Sequence, residues 1–216
     1  MTQTTVAVID YGMGNLHSVG KAIEKVAPDA KLIITNDHDT ILNATHVLLP
    51  GVGAMRDCMG EMIKYNVDKI VHEVIKKGTP FLGICVGMQA LLNRSEENDG
   101  VDCLSVFDGQ VVHFKAGKDD NGLPLKIPHM GWNRVKQTAT HPLWEGIADN
   151  TRFYYVHSYH VQLKDNQYQM GKTDYSESFC AAIGKDNVFA TQFHPEKSHD
   201  AGLQLLKNFV NWNGKV

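Results

Sequence analysis

Apolar and polar positions along the first half of the chain switch repeatedly between the two-residue and the 3.6-residue rhythm. Thr5 to Ile9 (TVAVI) is a short β-branched run that ends in the turn cluster Asp10-Tyr11-Gly12-Met13-Gly14-Asn15, which reads as a strand followed by punctuation. Leu16, Val19, Ile23 and Val26 then recur at helical spacing, marking one buried stripe. Lys31 to Ile34 and His46 to Leu49 read as a second and a third strand. Met55 to Tyr65 and Val67 to Lys77 read as helices, the latter through Val67, Ile70, Val71, Val74 and Ile75. Pro80 to Ile84 reads as a fourth strand, and Val86 to Leu92 as the helix that follows it. Repeated strand–helix units predict an α/β fold with a doubly wound, mostly parallel sheet of the flavodoxin-like kind, covered on both faces.

Beyond Leu92 the rhythm changes. Short β-rich runs, Gly109 to Phe114, Thr151 to Val156 and Ser178 to Ile183, are separated by polar loops, which predicts antiparallel strands added to one edge of the sheet. A closing helix over Ala201 to Trp212 carries Leu203, Leu206, Phe209 and Val210 on one stripe. No repeat, low-complexity segment or linker interrupts the chain, so its 216 residues are expected to form one domain, 1–216.

Composition narrows the functional classes. With 43% hydrophobic and 21% charged residues, the chain is not a disordered one. A formal net charge of −3 excludes the basic surplus of a general nucleic-acid binder. No apolar run approaches the roughly 20 residues of a membrane span, and Met1 to Thr5 lacks a basic leader. The four cysteines, Cys58, Cys85, Cys103 and Cys180, form no C-x-x-C pair, which argues against a zinc ribbon or a redox pair. A cytoplasmic protein with free thiols is expected.

Three segments carry candidate chemistry. Gly83-Ile84-Cys85-Val86-Gly87-Met88-Gln89 follows an apolar strand and opens a helix, the setting of a nucleophile elbow with cysteine in place of serine. A thiolate there would sit at a helix N-terminus, with the Val86 amide pointing at an oxyanion. Alone, the motif suits a buried cysteine between packing glycines equally well. Thr191-Gln192-Phe193-His194-Pro195-Glu196 supplies a histidine that Pro195 holds extended. Residues two apart in extended chain share a side, which would set Glu196 to orient the His194 ring; alone, the segment reads better as a turn at a helix start with Glu196 as a favourable first-turn charge. Pro50-Gly51-Val52-Gly53-Ala54 closes the third strand with two glycines that let backbone amides approach a ligand, a candidate second oxyanion donor; on its own it reads better as an ordinary glycine-rich strand–helix turn.

Taken together, these motifs resemble the triad-type (class I) glutamine amidotransferase family in order and spacing, over essentially the whole chain. The resemblance implies Cys85 as nucleophile, His194 as acid and base, and Glu196 as its orienter. It implies an oxyanion hole from Val86 and the Gly51, Val52, Gly53 loop, and a glutamine site that includes Gln89. Two further segments, Asp10 to Leu16 and Ile127-Pro128-His129-Met130-Gly131-Trp132-Asn133, are similar to the branch of that family that forms the glutaminase subunit of imidazole glycerol phosphate synthase. Phe153 to Tyr159 fits the same branch, with Ser158 and Tyr159 lining the glutamine pocket. Members of that branch pass ammonia to a cyclase subunit in histidine synthesis. The resemblance thus implies a heterodimer whose interface includes Asn15, Met130, Trp132 and Lys197; core packing is the other reading of Met130 and Trp132.

A partner-independent γ-glutamyl cysteine hydrolase and a paralogous subunit serving a sugar-amidation enzyme are the alternatives, and a non-catalytic binding subunit is a third. The first segment is neither a dinucleotide fingerprint, since His17 stands at the third glycine position, nor a Walker loop. No histidine pair has metal-site spacing, so neither a metal nor a cofactor is expected.

Overall fold

The computed structural model describes residues 3–118 and 121–216; Met1 and Thr2, part of the amino-terminal stretch read above, lie outside them. In the first half, β1 (Thr5–Ile9), α1 (Leu16–Val26), β2 (Lys31–Thr35), α2 (His38–Leu42) and β3 (His46–Gly51) are followed by two helices in succession, α3 (Met55–Lys64) and α4 (Val67–Lys77). Then come β4 (Phe81–Cys85) and the four-residue helix α5 (Val86–Gln89). β1 pairs in parallel with β2 on one side and β3 on the other, and β3 pairs in parallel with β4. Every residue of β3 and β4 is buried, as befits strands covered on both faces. α2, absent from the sequence reading, is one short stretch capped by the Asp37 carboxylate, which accepts from Thr40 N at 2.9 Å.

The second half adds β5 (Arg94–Ser95), β6 (Val101–Asp102), β7 (Gly109–His113), β8 (His129–Gln137), β9 (Thr151–His157), β10 (Tyr159–Leu163), β11 (Gln169–Asp174), β12 (Ser178–Lys185), β13 (Val188–Thr191) and α6 (His199–Asn211). The sheet runs β2-β1-β3-β4-β13-β12-β10-β7-β5-β6. β13 is the fifth parallel strand, and from β12 onward the extension is antiparallel but for the short β5–β7 pairing. β11 also pairs with β12 and passes to β8, which pairs with β9. The extension therefore lies on one edge, as expected, and carries a side branch. α1 lies beside α6, while α2 and α3 lie beside α4.

Besides α2 and the short strands β5, β6, β10 and β11, which the sequence reading did not contain, two further differences have a clear physical cause. The helix expected over Val86 to Leu92 ends at Gln89. The carbonyl of Ala90 accepts from Leu104 N, that of Leu91 from Val106 N and Phe107 N, and that of Leu92 from Ser105 N, at 2.8–2.9 Å; a returning loop takes the acceptors a longer helix would use. β8 was not anticipated because its alternation is inverted. Its buried positions include His129 and Val135, whereas Met130 and Trp132 face outward, 63% and 42% exposed. That exposure corrects the core-packing reading of both residues. Among the described residues, no helix is long and apolar enough to cross a membrane.

Candidate active site

The carboxyl ends of β3, β4 and β13 converge on a cavity of about 320 Å³, where open α/β sheets bind ligands. Cys85, the last residue of β4, adopts φ 55° and ψ −109°, a conformation that costs a non-glycine residue about 1–3 kcal/mol and is retained where function requires it. The chain reverses from strand to helix at this residue because Gly87 lets α5 press onto β3: a Cβ there would collide with the Leu49 carbonyl oxygen. Gly51 is equally constrained, since a Cβ would lie 2.8 Å from Gly87 N and from the Tyr11 hydroxyl.

His194 reaches the same cavity from the segment after β13, and Glu196 stands behind its ring. His194 is extended, at φ −98° and ψ 98°, as its proline neighbour dictates. Glu196, however, lies in a single turn of 3-10 helix, Pro195–Lys197. The turn, rather than strand alternation, brings its carboxylate to the ring, with Oε1 2.8 Å from His194 Nδ1. Both side chains are almost wholly buried. The backbone of His194 is fixed by its N–H to Tyr154 O at 2.9 Å and by Ser198 Oγ donating to its carbonyl at 2.6 Å.

Burial works against a charge on His194. The thiolate of Cys85 and the carboxylate of Glu196 outweigh that effect and hold the imidazole well above its ordinary pKa, so the cation is favoured at neutral pH. Nε2 is buried and has no hydrogen-bond partner among the described residues. The arrangement is suited to holding a thiolate–imidazolium pair, with Cys85 as nucleophile and His194 as proton donor and acceptor.

Val52, Gly53 and Val86 line the cavity beside Cys85, whereas Gly51 stands behind them, paired in register with Cys85. The loop is held by its carbonyls. The Tyr11 hydroxyl donates to Pro50 O at 2.9 Å and the Cys58 thiol to Val52 O at 3.5 Å. Burial raises both donors, Cys58 to about 11, so both keep their protons at neutral pH. Gln89, Ser158 and Tyr159 also line the cavity.

Asn15, Met130, Trp132 and Lys197 do not line it. Asn15 caps α1, its Oδ1 accepting from Ser18 N at 3.4 Å. The Trp132 ring stacks on His199, with centroids 4.8 Å apart, and α1 touches the Pro195–Lys197 turn. Met130 and Trp132 are exposed, and Asn15 and Lys197 are half-buried. Among the described residues, no group of three or more His, Cys, Asp or Glu side chains is placed to hold a metal ion.

Three groups at or beside the cavity were not foreseen. Glu97, from the irregular stretch after β5, brings a carboxylate to the wall and accepts from Met55 N at 2.8 Å; no motif marks it. Gln192, fully buried, lies 3.7 Å from Cys85 Sγ through its Nε2. Its position two residues before His194 was the available signal. His157 also lines the cavity, its Nδ1 2.8 Å from Tyr159 O and its Nε2 2.9 Å from His129 Nδ1. Burial depresses both rings, to about 3 and about 4, which keeps them neutral.

Glu196→Gln tests the orienter. The hydrogen-bonded shape survives, but the charge that stabilises imidazolium is lost. Glutaminase kcat is expected to fall, by roughly 10²-fold less than on removing the nucleophile, and circular dichroism should be unchanged. An unaltered kcat would reduce Glu196 to a charge at a turn.

The profile of the glutamine amidotransferase class-I family matches residues 7–212. Imidazole glycerol phosphate synthase subunit HisH 1 of Pseudomonas aeruginosa is 54% identical over 211 residues, covering 98% of this chain and 98% of its own. The HisH subunit of Nitrosococcus oceani is 53% identical, covering 98% of this chain and 99% of its own. Among solved structures, a glutamine amidotransferase of Thermotoga maritima superposes with a TM-score of 0.65 at 19% identity, over 91% of this chain and 77% of that one, which speaks for the fold. The chain belongs to the class-I glutamine amidotransferases and, within them, to the HisH subunits of imidazole glycerol phosphate synthase.

Proposed function

We propose that this chain, acting as one domain over residues 1–216 in the cytoplasm, hydrolyses glutamine to glutamate and ammonia. The ammonia passes to a cyclase subunit that makes imidazole glycerol phosphate in histidine biosynthesis. The observation that carries the reading is the meeting of Cys85, the His194–Glu196 pair and the Val52, Gly53 and Val86 backbone at one cavity.

The chemistry follows from those positions. The Cys85 thiolate attacks the side-chain carboxamide, and the oxyanion is received by the Val86 amide and an amide of the Val52–Gly53 loop. His194 gives its proton to the departing nitrogen, so ammonia leaves neutral and the carbon–nitrogen bond breaks to give a γ-glutamyl thioester. Water then attacks the thioester, its proton passes to His194, and the thiolate is regenerated as glutamate leaves. Glu97 is the one carboxylate among the cavity-lining residues and suits the α-ammonium of glutamine. Ser158, Tyr159 and Oε1 of Gln89 complete its polar surroundings. The exposed Met130 and Trp132, with Asn15 and Lys197, form the docking face for the cyclase.

The test is product formation from glutamine with purified cyclase and its ribotide substrate. Imidazole glycerol phosphate and glutamate are expected in equal amounts. Efficient hydrolysis of γ-glutamyl peptides without the cyclase would instead favour the independent hydrolase, and coupling only to a sugar-amidating enzyme would favour the paralogous subunit.

A further inference from the structure

We propose that Gln192 is a positioning residue for the nucleophile: a hydrogen-bond relay whose direction the backbone dictates aims its side-chain N–H at the Cys85 sulfur, where it stabilises the thiolate. The proposal rests on the reading of Cys85 as the nucleophile.

The direction of the relay follows from one obligatory acceptor. The Tyr159 carbonyl can only accept, so Gln89 turns its NH₂ toward it, at 2.9 Å. The same nitrogen lies 2.9 Å from the Gln192 side chain, and its other proton requires an acceptor, so Gln192 presents Oε1 there. The amide is planar with its two ends opposed. Nε2 of Gln192 therefore faces away, toward Cys85 Sγ at 3.7 Å. Turning Gln192 over would set two NH₂ groups against each other and a carbonyl oxygen against the sulfur. Turning Gln89 over would set its oxygen against the Tyr159 carbonyl. His157 Nδ1 also meets that carbonyl, at 2.8 Å. Gln89 and Gln192 are both buried, so neither can exchange this arrangement for water without cost.

An N–H donor on sulfur favours thiolate over thiol, because a hydrogen bond to the charged acceptor is the stronger one. Titratable groups that act on Cys85 include His194, Tyr11 and Cys58, and Glu97 and His157 line the same cavity. Tyr11, Cys58 and His157 are kept neutral by burial, which leaves His194 as the cationic partner. His194 must surrender its proton to ammonia during acylation. Gln192 has no proton to lose, so its support persists through the reaction, including the step in which water attacks the thioester and the carbon–sulfur bond breaks to return the thiolate.

The experiment is the pH dependence of Cys85 alkylation by iodoacetamide in the full-length chain, read by peptide mass so that Cys58, Cys103 and Cys180 are counted separately. Gln192→Met keeps length and removes the donor. Its alkylation midpoint is expected to move up by about one pH unit, the tenfold effect of one charge-assisted hydrogen bond. Glutaminase kcat should fall about tenfold while KM for glutamine changes little. Should Gln192→Met fold poorly, Gln89→Met carries the test. It leaves Gln192 in place but frees it to turn over, and a smaller upward shift is expected. An unmoved midpoint in a folded variant would overturn the role of Gln192 while leaving Cys85 as nucleophile. A parent protein whose Cys85 reacts no faster than Cys103 would overturn both.

Discussion

Replacing Cys85 with alanine is expected to abolish glutamine hydrolysis while leaving the fold and cyclase binding intact. The substitution removes only the attacking atom. Cys85 is 4% exposed, its backbone conformation is imposed by the close approach of α5 to β3, and alanine accepts that conformation no worse than cysteine. The remaining oxyanion amides cannot compensate, because without a nucleophile there is no tetrahedral adduct for them to hold. The loss should approach the full catalytic contribution of the triad, about 10⁶ in kcat where a comparable nucleophile has been removed. Cyclase supplied with ammonium salts should still make product in the complex with Cys85→Ala. Cys103→Ala and Cys180→Ala should keep most glutaminase activity, since neither residue lines the cavity. Measurable turnover by Cys85→Ala at more than a trace would remove the nucleophile assignment.

The second large effect concerns the isolated chain, which is expected to be a slow glutaminase that its ligand-bound cyclase accelerates about 10²–10³-fold. Ammonia released into neutral water becomes mostly ammonium, which is no nucleophile, so hydrolysis is useful only when the acceptor is in place. The loop Pro50–Ala54 is the element proposed to switch. Gly53 has φ +108°, the left-handed region that favours glycine, and between the end of β3 at Gly51 and the start of α3 at Met55 the loop is fastened by Cys58 on the Val52 carbonyl, with Tyr11 on the Pro50 carbonyl just before it. Its neighbour is the turn after β1. Met13 lies against Gly53, and the Pro50 ring lies 3.5 Å from a Cβ built at Gly14. Asn15, proposed for the docking face, ends that same turn. A partner that presses on the turn therefore acts on the loop through direct contact, and withdrawing one oxyanion donor costs about 2.7–4 kcal/mol, which sets the expected factor. Binding can bias such an equilibrium only by preferring one arrangement. Steady-state glutamate release should be compared for the chain alone, with cyclase, and with cyclase plus its ribotide ligand. An isolated chain already as fast as the liganded complex would exclude the switch and favour the independent hydrolase.

The parallel half of the fold was legible because its strands are β-branched runs closed by glycine turns, and its helices carry one apolar stripe each. The elbow and the His194–Glu196 pair were legible for a related reason: each is a local motif, and although each alone had another reading, their order and spacing along the chain pointed to one site. What could not be read depends on chain segments meeting. α5 ends where a loop from Leu104 to Phe107 takes its carbonyls, which no periodicity records. β8 was hidden because Met130 and Trp132 are turned outward, reversing the usual sense of alternation. Glu97 belongs to an irregular stretch, and the role of Gln192 appears only once Gln89 and the Tyr159 carbonyl stand beside it. Even the Glu196 contact, expected correctly as a pair, arises through a 3-10 turn rather than extended chain.

The most direct test of Cys85 as the covalent centre is acid quenching of the chain during turnover with glutamine, in the presence of cyclase and ribotide, followed by mass mapping. A γ-glutamyl adduct is expected on the Cys85 peptide alone, and none in Cys85→Ala. Sustained turnover with no adduct on Cys85, or an adduct on Cys58, Cys103 or Cys180, would contradict it.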